Sequence, residues 1–295
     1  MLSYQHVFHA GNHADILKHY VLCSVIQSLN KKEKPYTLYD THAGSGLYDM
    51  QDNRSLKTNE AAKGISVLVQ ALKNNPASEC CTDQGFASYL ALVNNYLNKS
   101  LYPGSPVIER DLMRSQDTLI LSELHPVEIE NLKNNIKGSK NVQVHNRSGW
   151  EMLKALTPPS TKRGAALIDP SYEEAEDYTV AARTICEVHK KWTNGIIMLW
   201  YPLLAHRQNE IENMLSAIKD YVKAINANTA VDTFELIVNS PDAHKETSLQ
   251  QVLKDKDKKN PPRLYGSGML VINTPWNLSQ NAAGVITCLN SIFYS

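Results

Sequence analysis

One short segment, Asp169-Pro170-Ser171-Tyr172, carries the side chains best suited to chemistry in this chain. It follows residues 164–168 (Gly-Ala-Ala-Leu-Ile), an apolar run that predicts a buried strand. Open α/β sheets bind their ligands beyond the carboxyl ends of the strands, so we expect the segment to lie at the lip of a binding site. An ordinary strand-to-helix turn is the alternative, because proline favours turns and aspartate caps helices.

The segment resembles the Asp-Pro-Pro-Tyr motif of methyltransferases that act on the amino group of adenine. An exocyclic amine is a poor nucleophile, because its lone pair is delocalised into the ring. The resemblance implies that the Asp169 carboxylate and the Pro170 carbonyl each accept one N–H, directing the lone pair at a methyl donor. Tyr172 would stack on the flipped base. Ser171 replaces the second proline, which makes the turn less rigid but removes neither acceptor.

A glycine-containing loop follows a predicted strand over residues 36–40, which ends in Asp40. Gly44 and Gly46 lack a Cβ, so a ligand can approach the backbone closely there. The loop has neither the third glycine of a dinucleotide fingerprint nor the Gly-Lys-Ser/Thr of a phosphate-binding loop. It is similar to the first motif of class I S-adenosylmethionine-dependent methyltransferases, which wraps the methionine half of the cofactor.

Two further predicted strands end in polar residues. Residues 117–123 end at Glu123, which is expected to hold the ribose hydroxyls of the cofactor, or else is an ordinary solvated carboxylate. Residues 142–145 lead toward Ser148, whose hydroxyl is expected to contact the cofactor adenine or to cap the next helix. Both roles of Ser148 can hold together.

The N-terminal residues 4–19 are similar to the N-terminal signature of the RlmJ-type 23S ribosomal RNA adenine-N6 methyltransferases. Other pieces of that family's pattern follow in order along nearly the whole chain. They are Asp40 through Gly46, residues 102–106, 123–126, 199–202 and 267–269, and Pro275-Trp276. The resemblance therefore covers the full length of the chain.

The resemblance implies methyl transfer from S-adenosyl-L-methionine to the N6 amine of an adenine in 23S ribosomal RNA, adenine 2030 in the family. The candidate cofactor contacts are His19, His42, Gly44, Gly46, Ser105, Glu123, Ser148 and Gly149. The candidate catalytic residues are Asp169, Pro170 and Tyr172, and the candidate RNA contacts are Tyr4, His6 and Lys18. The family commonly has aspartate where Ser148 stands, which leaves the strength of the adenine contact open.

Composition limits the partners of the chain. Lysine plus arginine and aspartate plus glutamate number 30 each, so the net charge is zero and any RNA contact must be local. The five cysteines show no C-x-x-C pair or metal spacing. We expect no signal peptide, and the sequence has no apolar run of transmembrane length. We expect a cytoplasmic, monomeric protein that binds 23S ribosomal RNA, without a membrane or a metal.

A metal site at His9, His13 and His19 is the alternative to the expectation that the protein binds no metal. A spacing of four residues places His9 and His13 on one face, if both lie in a helix. No cysteine or acidic pattern completes a site, and Asn12 and Asp15 suit helix capping equally well. The sequence therefore predicts no metal.

The rest of the chain completes an α/β fold. Gly46 and Glu123 are much further apart than the roughly twenty residues usual for such a pair, so residues 49–102 are predicted to form an inserted helical subdomain. It packs on, or forms a wall beside, a class I methyltransferase domain of residues 1–48 and 103–295. That domain is expected to be Rossmann-like, with a mostly parallel sheet whose last strand is antiparallel.

The periodicity of apolar residues places the remaining elements. Helices are expected over about residues 12–22, 181–192 and 208–222, and strands over residues 195–201, 234–238 and 269–273. The charged run 254–263 joins the last two strands and is either a solvated loop or an RNA contact.

Two other functions remain as alternatives. A non-catalytic RNA-binding relative is conceivable because Ser171 and Ser148 depart from the family pattern. An NAD-dependent oxidoreductase needs a fuller glycine fingerprint and an acid at the usual distance, and the chain has neither. The presence of Asp169, Tyr172 and the glycine loop favours the methyltransferase.

Overall fold

The computed structural model describes residues 5–75, 79–239 and 264–294 of the chain. Its centre is a seven-stranded sheet in the order β5-β4-β1-β6-β7-β9-β8. A small two-stranded sheet pairs β2 with β3. The strands are β1 (Thr37–Asp40), β2 (Leu47–Asp49), β3 (Leu101–Pro103), β4 (Thr118–Ser122), β5 (Val142–His145), β6 (Gly164–Ile168), β7 (Ile196–Leu204), β8 (Val231–Ile237) and β9 (Leu264–Ile272).

The main sheet is mostly parallel. Strands β5, β4, β1, β6 and β7 run in one direction, whereas β9 lies between β7 and β8 and is antiparallel to both. The predicted sheet with an antiparallel last strand is therefore confirmed. All residues of β1 and β6 are buried, because helices cover both faces of the sheet, and this explains the continuous apolar run of β6.

Eleven α-helices surround the sheets in the described part of the chain. They are α1 (His13–Asn30), α2 (Asn53–Thr58), α3 (Glu60–Lys63), α4 (Ile65–Asn74), α5 (Gln84–Leu97), α6 (Ser105–Leu112), α7 (Pro126–Asn135), α8 (Gly149–Leu156), α9 (Glu176–Lys191), α10 (Gln208–Ile225) and α11 (Trp276–Phe293). The helices expected over residues 181–192 and 208–222 correspond to α9 and α10.

Helix α1 is longer than the sequence predicted. Its N-cap is Asn12, whose side chain accepts the Asp15 backbone N–H at 3.0 Å. Instead of ending near residue 22, the helix continues for another two turns, because its apolar residues Cys23, Val25, Ile26 and Leu29 fill the core. It ends only at the lysine-rich segment before Pro35, where helix formation is disfavoured.

The segment between β1 and β4 is largely helical, as expected, and contains α2 to α5. The antiparallel pair β2–β3 brings the two ends of this segment together. Helix α5 packs directly on α1, and one continuous hydrophobic core includes Phe86 and Tyr89 of α5 together with residues of the main sheet. The division into two domains stays a prediction.

None of the helices in the described residues is long and apolar enough to cross a membrane.

The contact between α5 and α1 generates a stability prediction. A Cβ on Gly85 would overlap Ser24 of α1, whereas a Cβ on Gly284 of α11 meets nothing within 4 Å. Gly85→Ala should therefore lower the free energy of unfolding by about 1–3 kcal/mol. Gly284→Ala, the matched control, should raise it by about 0.5–1 kcal/mol. Urea denaturation of both variants measures this, and equal effects would contradict the close α5–α1 packing.

Candidate active site

Two adjoining cavities open beside the carboxyl ends of β1, β4 and β6. Their volumes are about 220 Å³ and about 310 Å³, and Lys18 and Asp169 line both. The predicted site residues that line the first cavity are His6, Lys18, His19, His42, Gly44, Ser105, Glu123, Ser148, Gly149, Asp169 and Pro170. The structure therefore brings together eleven of the residues that the sequence selected, and they come from six separate segments.

The glycine loop fixes a carboxylate in the wall of the first cavity. The Gly44 backbone N–H donates to Glu123 Oε2 at 2.8 Å, and the His125 backbone N–H donates to Oε1 at 2.7 Å. Gly44 has φ +58°, and a Cβ there would collide with the Tyr48 hydroxyl. Only glycine fits this position without strain, and it holds Glu123 toward the cavity.

Asp40 lies fully buried beneath the loop. It accepts the Ser105 hydroxyl at 2.6 Å and the His42 backbone N–H at 3.2 Å. Burial raises the pKa of Asp40 to about 6. Gly46 differs from its predicted role, because it does not line the cavity. Its carbonyl accepts the Gly104 backbone N–H at 2.8 Å, so Gly46 shapes the loop.

The wall beyond β5 contains Ser148 and Gly149. Ser148 is the N-cap residue of α8, but its side chain makes no capping hydrogen bond, so the predicted capping role of the hydroxyl is wrong. A Cβ on Gly149 would overlap the Thr41 carbonyl, and glycine permits this close approach. The His42 ring packs edge-on against Trp150 with centroids 5.0 Å apart, and burial lowers its pKa to about 4.

Helix α1 contributes a second neutral histidine. His19 is fully buried, and its Nδ1 lies 3.0 Å from the Tyr102 hydroxyl. Its Nε2 has no hydrogen-bond partner in the part of the chain that the structure describes. Burial lowers the pKa of His19 to about 3, so the ring is neutral over the physiological range.

Lys18 joins α1 to Asp169, the residue that follows β6. Its Nζ lies 2.6 Å from Asp169 Oδ2 and 2.9 Å from Asp15 Oδ1. Lys18 was expected to contact RNA, but only 4% of the residue is exposed and both carboxylates already hold its ammonium group. Burial favours the neutral amine, but the two carboxylates outweigh it and raise the pKa of Lys18. The lysine is therefore a charged partner of Asp169.

Asp15 holds this arrangement in place and was given no such role from the sequence. Its Oδ2 accepts the Gly11 backbone N–H at 2.8 Å and lies 3.0 Å from His6 Nε2. Burial opposes ionisation of Asp15, but the charges of His6 and Lys18 outweigh it and hold the pKa well below its usual range. The available sequence signal was the three-residue spacing of Asp15 and Lys18 on one helix face.

The second cavity has aromatic and apolar walls, and the cations Lys18 and Arg207 also line it. The lining residues are His6, His9, Asn12, Ala14, Asp15, Lys18, Asp169, Ser171, Tyr172, Glu173, Trp200, Pro202, Leu204, His206, Arg207 and Leu264. Tyr172 has φ +50°, its hydroxyl donates to the Trp200 carbonyl at 2.9 Å, and its ring packs on Tyr178. Only 6% of Tyr172 is exposed, and its predicted stacking on a base stays a prediction.

Other candidates lie elsewhere. Tyr4 and the charged run 254–263 fall outside the described residues. His9 precedes α1 and its Nδ1 lies 2.9 Å from Glu60 Oε1, so His9 and His13 do not share a helix face. Within the described ranges, no three histidine, cysteine or acidic side chains form a group that could hold a metal ion.

Comparison with known proteins decides the family. The family model described as "Ribosomal RNA large subunit methyltransferase D, RlmJ" matches residues 33–294. The chain belongs to this family. The relative from Escherichia coli (strain K12) named "Ribosomal RNA large subunit methyltransferase J" is 36% identical over 295 residues, covering 99% of this chain and 94% of the relative. The relative of the same name from Haemophilus influenzae is 35% identical over 300 residues, covering 98% and 93%.

A solved structure supports the same assignment. The crystal structure of a protein from Legionella pneumophila matches this chain with a TM-score of 0.77 and 30% sequence identity. The match covers 97% of this chain and 94% of that protein. The resemblance to the RlmJ family inferred from the motifs is thus confirmed, and with it the class I methyltransferase fold.

The neutral state of His19 predicts a dependence of stability on pH. The pKa of His19 is lowered in the folded protein, so the unfolded chain binds a proton that the folded chain does not, and stability falls as the pH drops below 6.5 toward 3. His19→Gln removes this titration. From pH 7 to pH 5, the stability advantage of the wild type over His19→Gln should shrink by about 2 kcal/mol.

Urea denaturation at the two pH values measures the effect. Tyr102→Phe is the matched control, because it removes the hydrogen bond to His19 but keeps the titrating ring, and it should retain the wild-type pH dependence. An unchanged difference between the wild type and His19→Gln would show that His19 does not stay neutral.

Proposed function

We propose that this chain transfers a methyl group from S-adenosyl-L-methionine to the N6 amine of an adenine in 23S ribosomal RNA, with adenine 2030 as the target. The observation that carries the proposal is the position of Asp169, which lies where the two cavities meet. A reaction between two ligands needs a group of this kind between their binding sites. Membership of the RlmJ family supports the reaction class.

The first cavity fits the cofactor. Glu123 is held at the end of β4 by two backbone N–H groups and would accept the ribose hydroxyls. The Ser148 side chain has no capping bond and would reach the cofactor adenine. The unpartnered Nε2 of His19 is a further polar group at this cavity. When bound, the cofactor supplies an electrophilic methyl group.

The second cavity suits a base removed from its stack. Tyr172, Trp200 and Pro202 offer flat or apolar surfaces, as base-modifying enzymes commonly do. Among the described residues Trp200 Nε1 has no hydrogen-bond partner, so it would be a donor for a ring nitrogen of the base. An adenine here would bring its exocyclic amine next to Asp169, on the side of the first cavity.

The chemistry assigned to the protein is positioning and hydrogen-bond acceptance. Lys18 occupies Asp169 Oδ2, and the described residues donate no hydrogen bond to Oδ1. Oδ1 would accept one N–H of the amine, and the Pro170 carbonyl would accept the other. The nitrogen lone pair would then point at the methyl group. In the transfer, the nitrogen would gain the methyl group as the methyl–sulfur bond of the cofactor breaks, the demethylated cofactor would leave, and Asp169 would take the proton that the amine loses. Lys18 stays protonated and holds the carboxylate in position through Oδ2.

The first test removes the acceptor. Asp169→Ala should lower turnover at least about a hundredfold, because the lost interaction is made mainly in the transition state, while cofactor affinity stays roughly unchanged. Methyl incorporation into unmodified 23S RNA and calorimetry measure the two effects. Glu176→Ala, an exposed carboxylate nearby on α9, is the control and should remain active. Near-normal methylation by Asp169→Ala would reject the assignment.

The second test concerns the cofactor. Glu123→Ala should weaken binding of S-adenosylmethionine and of its demethylated product alike, by about 1–3 kcal/mol, because the same ribose hydrogen bonds are lost. Glu130→Ala on α7 removes an exposed carboxylate paired with Lys133 and should leave both affinities unchanged. Calorimetry measures all three proteins, and saturable binding of NAD to the wild type would overturn the cofactor assignment.

A further inference from the structure

The edge of the sheet opposite the candidate active site concentrates positive charge. Strands β5, β4, β1 and β6 are adjacent and parallel, so the segments that lead into them, residues 31–36, 112–117, 137–141 and 157–163, meet at one edge. We call their cations the basic edge. It consists of Lys31, Lys32, Lys34, Arg114, Lys137, Lys140, Lys162 and Arg163.

This charge is local and largely uncompensated. The same four segments contain two carboxylates, Glu33 and Asp117, in a chain whose total charges balance. Asp117 forms a bidentate pair with Arg114. Within the described residues, none of the other basic-edge cations forms a salt bridge, whereas cations such as Arg54 and Lys133 elsewhere do.

Two arginines hold the lysine loop rigid. Arg114 donates to the Lys32 carbonyl at 2.8 Å and to the Lys34 carbonyl at 3.1 Å, and Arg163 donates to the Lys34 carbonyl at 2.5 Å. Both guanidinium groups lie over the Tyr36 ring, 5.3 and 5.6 Å from its centroid. The backbone of the loop is therefore fixed, while the side chains of Lys31, Lys32 and Lys34 remain exposed.

Like charges held together this way repel each other, and a polyanion relieves the repulsion. Burial and the neighbouring Arg114 lower the pKa of Arg163, and the effect of Arg114 reflects this repulsion between like charges. Four adjacent strands span roughly 14 Å, room for several phosphates of one nucleic acid strand. The strands themselves separate this edge from Asp169 by on the order of 20 Å, so the target base cannot reach both places.

We propose that the basic edge binds the sugar–phosphate backbone of a second segment of the ribosomal RNA substrate, remote from the segment that carries the target adenine. The identity of the RNA rests on the proposed function. The contact is electrostatic and independent of sequence, because lysine and arginine there face phosphates and not base edges. It adds affinity for a large folded RNA without touching the chemistry.

The test neutralises four exposed lysines whose side chains form no hydrogen bond within the described residues. The edge variant carries Lys32→Gln, Lys34→Gln, Lys140→Gln and Lys162→Gln. The control variant loses the same charge at dispersed sites, through Lys73→Gln, Lys133→Gln, Lys154→Gln and Lys219→Gln. The substrates are a long folded 23S fragment and a short stem-loop with the target adenine, and thermal unfolding checks that both variants fold.

The edge variant should raise KM for the long fragment at least about tenfold and lower the slope of log affinity against log salt by about 3. Its kcat, its cofactor affinity and its KM for the short stem-loop should match the wild type. The control variant should change KM for the long fragment by less than about twofold.

Two outcomes would overturn the inference. One is an unchanged KM and salt slope for the long fragment, which would assign the patch to another anionic partner such as an acidic protein. The other is an equal loss in the two variants, which would show an effect of total charge. If the wild type transfers no methyl group, the proposed function alone is rejected. Direct binding of the long fragment to the wild type and the two variants, measured without cofactor, then still tests the inference.

Discussion

The ion triad of Asp15, Lys18 and Asp169 sets the geometry on which the candidate site depends. A buried ammonium group is costly unless opposite charges surround it, and two carboxylates within 3 Å meet that condition. The triad links the first turns of α1 to the end of β6, across 151 residues of sequence. Removing either carboxylate would leave the buried ammonium group of Lys18 with one counter-charge in place of two. The same contacts that fix the Asp169 carboxylate therefore also anchor the N-terminal helix.

The cavities combine this charged centre with neutral rings. Burial keeps His19 and His42 uncharged, and neither adds positive charge to the first cavity. That matters for the proposed cofactor, which carries a positive sulfur. A wall of protonated histidines would repel it, whereas neutral rings and the carboxylate of Glu123 do not. Burial of His19 and His42 thus sets the protonation state of the two rings and, through it, the ligand charge that this wall of the cavity accepts.

The sequence predicted the sheet well, because its strands are short apolar runs bounded by glycine, proline or a terminal carboxylate. It also selected residues that meet at one cavity, since the ends of parallel strands converge by topology alone. The contact of Lys18 with Asp169 was not predicted, because this partner lies far away in sequence and only packing brings the two together. The roles of Gly46 and the Ser148 side chain depend on local hydrogen bonds that residue type does not reveal. Trp200 belongs to residues 199–202, one of the pieces of the family pattern, but its place in the wall of the second cavity follows only from the fold.

The position of β9 has a consequence for synthesis of the chain. This strand pairs with β7 on one side and β8 on the other, yet it begins at Leu264, near the end of the sequence. While the chain is being made, β7 therefore presents an unpaired edge until the last segment emerges from the ribosome. Unpaired edges invite pairing with other chains. A nascent chain stalled before that point is exposed to misassembly, although every residue that lines the two cavities except Leu264 has already been synthesised.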